Sequence, residues 1–439
     1  MLQVLRGATV IDGTGAEPRQ ATVVVDGNRI AAVLDGAAPE LPPQLQGNGA
    51  RGETVVYDAT GMTLLPGLID THDHLSHVGL DVYRRLATSP ALACFELAAT
   101  LRQTLDAGFT AIRDASGTPV GPKQAVERGL VPGPRLMVSI IMITPTGGHG
   151  DRLHPCGAPG HFPVLPDVPD GIADGPDEIR RKVRELARLG ADWIKFCATG
   201  GISSARGGAL SRQFTREEIM ALVDEAHRME CKAMVHAYGG DGLRDALDAG
   251  VDTVEHGAYL WQEEDRLRQM ADRGVYLVPT LSNSRKYVQR MQRNPDATPE
   301  YMQRKAPEIV EYGARTVQRA LELGVPIAMG TDAGMFGHGD NAWEVELMVE
   351  AGMTPMQSLV ATTATAAACI GLGDRVGTIV PGKLADLVVV DGDPLRDPGL
   401  LRDHARFALI MKDGEVHRGR LPTSPDSSTI ERRAAQPAG

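Results

Sequence analysis

Aromatic residues make up only 4% of this 439-residue chain, so platforms for stacking nucleic-acid bases have little raw material. Positive charge is short as well: 45 Lys and Arg stand against 56 Asp and Glu, a formal charge of −11 with a sequence pI near 5.6. Without a dense basic run there is nothing to displace counterions from a phosphate backbone, which argues against a nucleic-acid partner. The five cysteines, Cys94, Cys156, Cys197, Cys231 and Cys369, are odd in number, scattered and never arranged as C-x-x-C. That usage fits a reducing compartment rather than a disulfide framework, and the chain is read as cytoplasmic. No stretch approaches the roughly 18 to 20 apolar residues of a membrane span, and Met1–Val10 has no basic segment leading into an apolar one, so neither insertion nor export is expected.

What the chain does have is length and patterned apolar residues, 42% of the total, enough for a large core. Residues 2–34 alternate β-rich runs with turn signals, including Asp26-Gly27-Asn28 between two such runs, which predicts a hairpin. The same grammar returns near the end, in Leu387-Val388-Val389-Val390 and Ala408-Leu409-Ile410-Met411. The two ends are therefore expected to pair into a small β-sandwich domain, residues 1–62 and 373–420, packed beside the central segment. Residues 421–439 are expected to fray.

Between the ends lie eight apolar runs, at 65–70, 110–114, 135–140, 193–196, 233–236, 253–256, 275–279 and 327–332. They are separated by stretches of helical period such as 215–230, where Ile219, Leu222, Val223 and Ala226 share one face. Repeated strand–helix alternation of this kind predicts an α/β fold, a (β/α)8 TIM-like barrel over residues 63–372. Residues 146–175, rich in Gly, Pro, Asp and His, are expected as a long loop after the third strand, and 284–315 as helices above the seventh.

Several of these runs end in residue types that bind metals, on the face where barrel enzymes build their sites. His72 and His74 lie two apart on an extended segment, so both rings project to one side. Lys195 lies on the fourth run, His236 ends the fifth, His256 the sixth and Asp332 the eighth. Singly, each has an ordinary reading: a strand-end histidine, a helix-capping aspartate, a snorkelling lysine. Together they form a nitrogen and oxygen ligand set without thiolate, suited to zinc or a similar divalent ion. Burial near positive charge would lower the pKa of Lys195 and leave a neutral amine able to react with carbon dioxide. The carbamate so formed is an anionic ligand with two oxygens.

The chain resembles the amidohydrolase superfamily, and within it the branch of imidazolonepropionase-like and Xaa-Pro dipeptidase-like proteins. The resemblance rests on Leu65-Pro66-Gly67-Leu68-Ile69-Asp70-Thr71-His72-Asp73-His74, Gly108-Phe109-Thr110-Ala111-Ile112-Arg113-Asp114, Thr146-Gly147-Gly148-His149-Gly150, Val254-Glu255-His256-Gly257, Gly330-Thr331-Asp332-Ala333-Gly334 and Gly382-Lys383-Leu384-Ala385-Asp386-Leu387-Val388. It implies two divalent ions, zinc by expectation: His72 and His74 on the more buried ion, His236 and His256 on the more exposed one, carbamylated Lys195 bridging both. It further implies that Asp332 ligates the buried ion and shuttles the proton while a metal-bridging hydroxide attacks the amide of a small peptide or N-acyl amino acid. His149 resembles a residue that contacts the scissile carbonyl or the substrate carboxylate, and Tyr238 stands where a hydroxyl could support the oxyanion. A homo-oligomer is implied on the same ground.

Deamination is disfavoured, because related deaminases carry a Glu three residues after the fifth-strand histidine and this chain has Gly239 there. The same nucleophile could also attack a cyclic amide, lactone, carbamate, urea or phosphotriester. A barrel that lost activity and only binds is the third reading, weakened by the retention of every expected ligand. His154, Cys156 and His161 lack a fourth partner for a closed zinc site and are read as loop residues. Gly200-Gly201-Ile202-Ser203-Ser204 lacks P-loop spacing and is read as backbone that approaches substrate. Trp343, Glu344 and Glu346 are read as an ordinary helix face. Side-chain preference is assigned to loops 75–95, 146–175 and 284–315.

Overall fold

The computed structural model describes residues 1–45, 54–77, 79, 84, 87–151, 165, 167–204, 207–335, 337–419, 421 and 423–424. His154, Cys156, His161 and nearly all of the 421–439 tail lie outside them. In chain order the strands are β1 (Leu2–Val10), β2 (Arg19–Asp26), β3 (Arg29–Asp35), β4 (Thr54–Asp58), β5 (Thr63–Pro66), β6 (Leu68–Asp73), β7 (Phe109–Asp114), β8 (Arg135–Val138), β9 (Met142–Ile143), β10 (Trp193–Cys197), β11 (Lys232–Ala237), β12 (Thr253–His256), β13 (Tyr276–Val278), β14 (Leu387–Val390), β15 (Phe407–Lys412), β16 (Glu415–Gly419) and β17 (Thr423–Ser424).

These elements divide between two compact units. One takes in the described residues of Met1–Leu68, Gly108–Thr110 and Pro355–Gly439. Its strands run in the order β16-β15-β14-β5-β1-β2-β3, with β4 on β1 and β17 on β4. Strands from both ends of the chain share this sheet, since β14 lies antiparallel to β5 with Val388 opposite Leu65. Alternation sorts the side chains by face. Ala21, Val23 and Val25 join Leu5, Val10, Leu387 and Val389 in one core, while Val24 packs with Leu2, Val4 and Val56 in another. Residues Gly27-Asn28 close the β2–β3 hairpin, with Asp26 paired to Arg29 and Gly27 at φ +61°.

The second unit covers Ile69–Ala107 and Ala111–Thr354. It carries two sheets, β6-β7-β8 and β9-β10-β11-β12-β13, and β7–β8 and every neighbour pair from β9 to β13 are parallel. Parallel strands covered on both faces read as continuous apolar runs, and β10, Trp193-Ile194-Lys195-Phe196-Cys197, is buried at every position. Two expected strands come out differently. The run 135–140 stops at Val138 because Ile140 takes a left-handed conformation (φ +67°), and the chain resumes as β9 in the other sheet. The run 327–332 forms no ladder of its own. It makes isolated parallel bridges, Ile327 to Leu277 and Ala333 to Asp73, because Asp332 at φ +56° turns the backbone out of the extended region. Hydrogen bonds from Ala328 N to Leu277 O (2.9 Å) and from Thr71 N to Met329 O (3.0 Å) still hold this segment between β13 and β6.

Gly330 is where that segment comes closest to β6. A Cβ there would crowd Val278 Cγ1 and lie 3.0 Å from the His72 amide nitrogen. Gly330→Ala should therefore cost about 1–3 kcal/mol of overpacking, read as a lower denaturant midpoint. Gly121→Ala, with nothing within 4 Å of the added carbon, should cost nothing in the same measurement.

Candidate active site

The strand ends of the second unit surround an open cavity whose space, counted together with the solvent at its mouth, is about 580 Å³. All six expected ligands, His72, His74, Lys195, His236, His256 and Asp332, line it, as do His149 and Tyr238. Four of the imidazoles form a chain of neighbours, with ring centroids 5.4 Å apart for His74–His72, 5.1 Å for His72–His256 and 4.5 Å for His256–His236. His149 stacks on His236 at 4.1 Å, and Tyr238 stacks on His256 at 5.2 Å.

Each of the four strand-end histidines has one ring nitrogen engaged by a fixed protein group. His72 Nδ1 bonds Glu255 Oε2 (2.5 Å), His74 Nδ1 bonds Ser116 O (2.9 Å), His236 Nε2 bonds Gly200 O (3.0 Å) and His256 Nδ1 meets Thr280 Oγ1 (2.7 Å). A carbonyl or carboxylate oxygen can only accept, so the nitrogens facing Glu255, Ser116 and Gly200 carry the proton, and the other nitrogen of each ring holds the lone pair. This outer bonding is the arrangement that orients metal-ligating histidines. Burial, reinforced by the charge of Lys195, pushes the pKa of His72 down to about 4 and of His236 to about 3; burial also holds His256 well below its ordinary value. Neutral imidazoles are the ligating form.

Asp332 is held among these rings. Its Oδ1 lies 3.0 Å from His74 Nε2 and 3.7 Å from His72 Nε2, and its Oδ2 accepts from Asn283 Nδ2 at 2.6 Å. Burial alone would raise its pKa, but the bond from His74 and the charges around it bring it down to about 2. Since His74 Nδ1 already donates to Ser116, the 3.0 Å contact at Nε2 requires a cation there, either an imidazolium proton or a metal. His72, His256 and Asp332 each present a donor atom within 4.8 Å of the others, a spacing that fits one ion.

Lys195 is 1% exposed, and its Nζ has no hydrogen-bond partner among the described residues. Burial lowers its pKa despite the attraction of Glu255, Cys197 and Asp332. A buried amine left unbonded beside imidazoles and a carboxylate suits the carbamate ligand and, through it, a second ion; the donor set fits a binuclear centre. Tyr238 has its pKa raised well above 10 by burial, so its hydroxyl stays a donor. His149 Nδ1 pairs with Ser204 Oγ at 2.7 Å. The glycines of 200–201 serve these rings: a Cβ on Gly201 would fall 2.6 Å from His149 Cε1 and 3.0 Å from His236 Nε2.

Four residues escaped the sequence reading. Glu255, a charge inside an apolar run, is fully buried, accepts from Arg113 Nη2 (2.9 Å) and orients His72. Thr280 and Asn283 touch His256 and Asp332 but lie in a loop and helix start without ligand spacing. Glu344 is a correction: far from an ordinary face, it is fully buried, and its two oxygens accept from Leu281 N and Ser282 N, 2.7 Å each. It thereby fixes the start of the helix Leu281–Arg293 that carries Asn283. Burial pushes its pKa up to about 7 even so.

Arg113 is itself unexposed, donating to Thr71 O (2.6 Å), Thr253 Oγ1 (3.2 Å) and Glu255 while packing over Trp193 at 4.3 Å. Arg113→Met should destabilise by about 3–5 kcal/mol, the cost of leaving a buried charge unpaired. Denaturant unfolding measures it, and a loss below about 1 kcal/mol would show that Glu255 does not depend on this cation.

The chain as a whole is similar to known proteins. The chain is 30% identical to a Xaa-Pro dipeptidase solved with methionine in its active site, with a TM-score of 0.84 over 95% of this chain and 100% of that one. It is 29% identical over 435 residues to the ochratoxinase of Aspergillus niger, covering 95% of this chain and 86% of that protein. It is 25% identical over 432 residues to an imidazolonepropionase of a Geobacillus species, covering 91% and 89%. A model of the amidohydrolase family matches residues 63–419. With that match spanning most of its length, and with imidazolonepropionases and Xaa-Pro dipeptidases among its relatives, this chain belongs to the amidohydrolase family.

Proposed function

We propose that the protein is a binuclear metal-dependent amidohydrolase that cleaves the amide bond of small peptides or N-acyl amino acids. The observation that carries this is the set of four histidines, each tied outward by one nitrogen and three of them (His72, His236 and His256) kept neutral by burial, around a buried Lys195 and an ionised Asp332. On this reading the catalytic part is residues 63–372, its two parallel sheets forming one (β/α)8 barrel, and residues 1–62 with 373–420 form a β-sandwich. His72, His74 and Asp332 would hold one ion, His236 and His256 the other, with carbamylated Lys195 between them. Two such cations, zinc by ligand type, would polarise the amide carbonyl and lower the pKa of water.

The protein's own groups supply the remaining steps. Asp332, ionised at rest, can take a proton from water and deliver it to the leaving nitrogen. Tyr238 can donate its hydroxyl hydrogen to the oxygen of the tetrahedral intermediate. His149 can bond the scissile carbonyl or a substrate carboxylate. Met142, Ile202, Tyr287 and Met335 give the cavity apolar walls, and relatives named for dipeptides and for ochratoxin point to amide substrates.

Purified protein reconstituted with zinc should hold about two ions per chain, as a two-metal site requires, and hydrolyse members of a dipeptide and N-acyl amino acid panel. Lys195→Ala should lose metal and lower activity by more than the roughly 10–100-fold that an outer partner costs. Reconstitution of the metal-free protein should be faster with added bicarbonate. Full metal content and full activity in Lys195→Ala would refute the binuclear reading.

A further inference from the structure

Asn283 belongs to the cavity wall and is 8% exposed. Its amide cannot turn over freely, because Asp332 Oδ2 is an acceptor and takes its hydrogen bond from Nδ2 at 2.6 Å. The carbonyl Oδ1 therefore points away from Asp332. It is buried and has no hydrogen-bond partner among the described residues. Buried acceptors are nearly always satisfied, so an unpaired one on a residue that lines the cavity calls for a donor brought by a ligand.

We propose that Asn283 is a substrate-contacting residue whose Oδ1 accepts the N–H of the scissile secondary amide while its Nδ2 holds Asp332. The proposal rests on the amide-hydrolase reading. Asp332 has to reach the leaving nitrogen, and an acceptor one amide group away from Asp332 meets that same nitrogen. In the reaction a water oxygen bonds to the carbonyl carbon, the C–N bond breaks, and the proton taken from water goes to nitrogen. A bond from the existing N–H to Oδ1 turns the nitrogen lone pair toward Asp332, where the proton waits. The site then favours amides with a hydrogen on the scissile nitrogen over N-alkylated ones. An Xaa-Pro bond, whose nitrogen carries no hydrogen, falls in the disfavoured group.

The test compares a secondary-amide N-acyl amino acid with its N-methyl counterpart on metal-loaded wild type and Asn283→Ala, with rates expressed per metal-loaded chain. Wild type should prefer the N–H substrate in kcat/KM, and the variant should lose about tenfold of that preference, one neutral hydrogen bond. An unchanged ratio would overturn the proposal, since a residue that only positions Asp332 slows both substrates alike. If Asn283→Ala does not fold, Asn283→Ser is read on the same ratio. If wild type hydrolyses neither amide, the amide-hydrolase reading fails, and calorimetric binding of the pair decides the contact. A preference for N–H that disappears in the variant upholds it; equal binding, or none, overturns it.

Discussion

A carboxylate with no access to water organises the interior of the second unit. Glu255 bonds Arg113 through one oxygen and His72 through the other, and Thr253 also donates its hydroxyl to it. Alone, a buried carboxylate would take up a proton, because desolvation penalises the charged form. Arg113 and His72 reverse that and hold its pKa below the usual carboxylate range. An ionised Glu255 then dictates that His72 Nδ1 carries hydrogen and that Nε2 presents its lone pair. The arrangement is costly in desolvation and weak as a source of stability; its use is to set the direction of a ring.

Direction is set at the strand ends by the backbone as well. Among the described residues, Ile140, His256, Thr280 and Asp332 adopt positive φ, at +67°, +73°, +50° and +56°. None is glycine, and such positions cost about 1–3 kcal/mol each when side chains must tolerate them. His256 and Asp332 are expected ligands, and Thr280 bonds His256. At His256 and Asp332 the backbone leaves the extended conformation abruptly, and both side chains line the cavity. Asp70 anchors the turn at Asp332 from below. Its oxygens accept from Thr331 N (3.1 Å), Thr331 Oγ1 (2.6 Å) and the His72 amide (3.0 Å), coupling the eighth run to the H-x-H segment.

That the expected ligands would meet at one cavity was legible because they lie in, at the end of or just past apolar runs, and ends of parallel strands share one face. Their outer partners were not, since a residue that bonds the far side of a ring obeys no spacing in sequence: Ser116 and Gly200 act through main-chain carbonyls that any residue would supply. Glu344 was misread because its neighbours Val345 and Leu347 give the helix an ordinary pattern, and only the buried start of another helix explains a carboxylate there. The runs at 135–140 and 327–332 looked like complete strands because composition records burial, and a single left-handed residue that breaks the ladder leaves no mark in composition. The β2–β3 hairpin, whose turn glycine does leave a mark, was read in place.

The segments assigned to substrate choice are not independent of one another. His149, from the loop after the third run, pairs with Ser204 Oγ, and Lys305, from the helix Glu300–Glu322, donates to Gly201 O (3.2 Å) and Ser204 O (2.9 Å). Ile202 and Ser203, between those anchors, form part of the cavity wall. Gly200 O also accepts from His236 Nε2, so a movement of this short loop changes the orientation of an expected ligand along with the shape of the wall. A lysine stem with its ammonium bonded to two carbonyls, and with its pKa lowered by burial, resists such movement. Variation in the pocket is therefore confined to side chains that leave these main-chain bonds intact. Ile202 and Ser203 can change the wall, whereas changes at Gly200 and Gly201 carry through to His149 and His236.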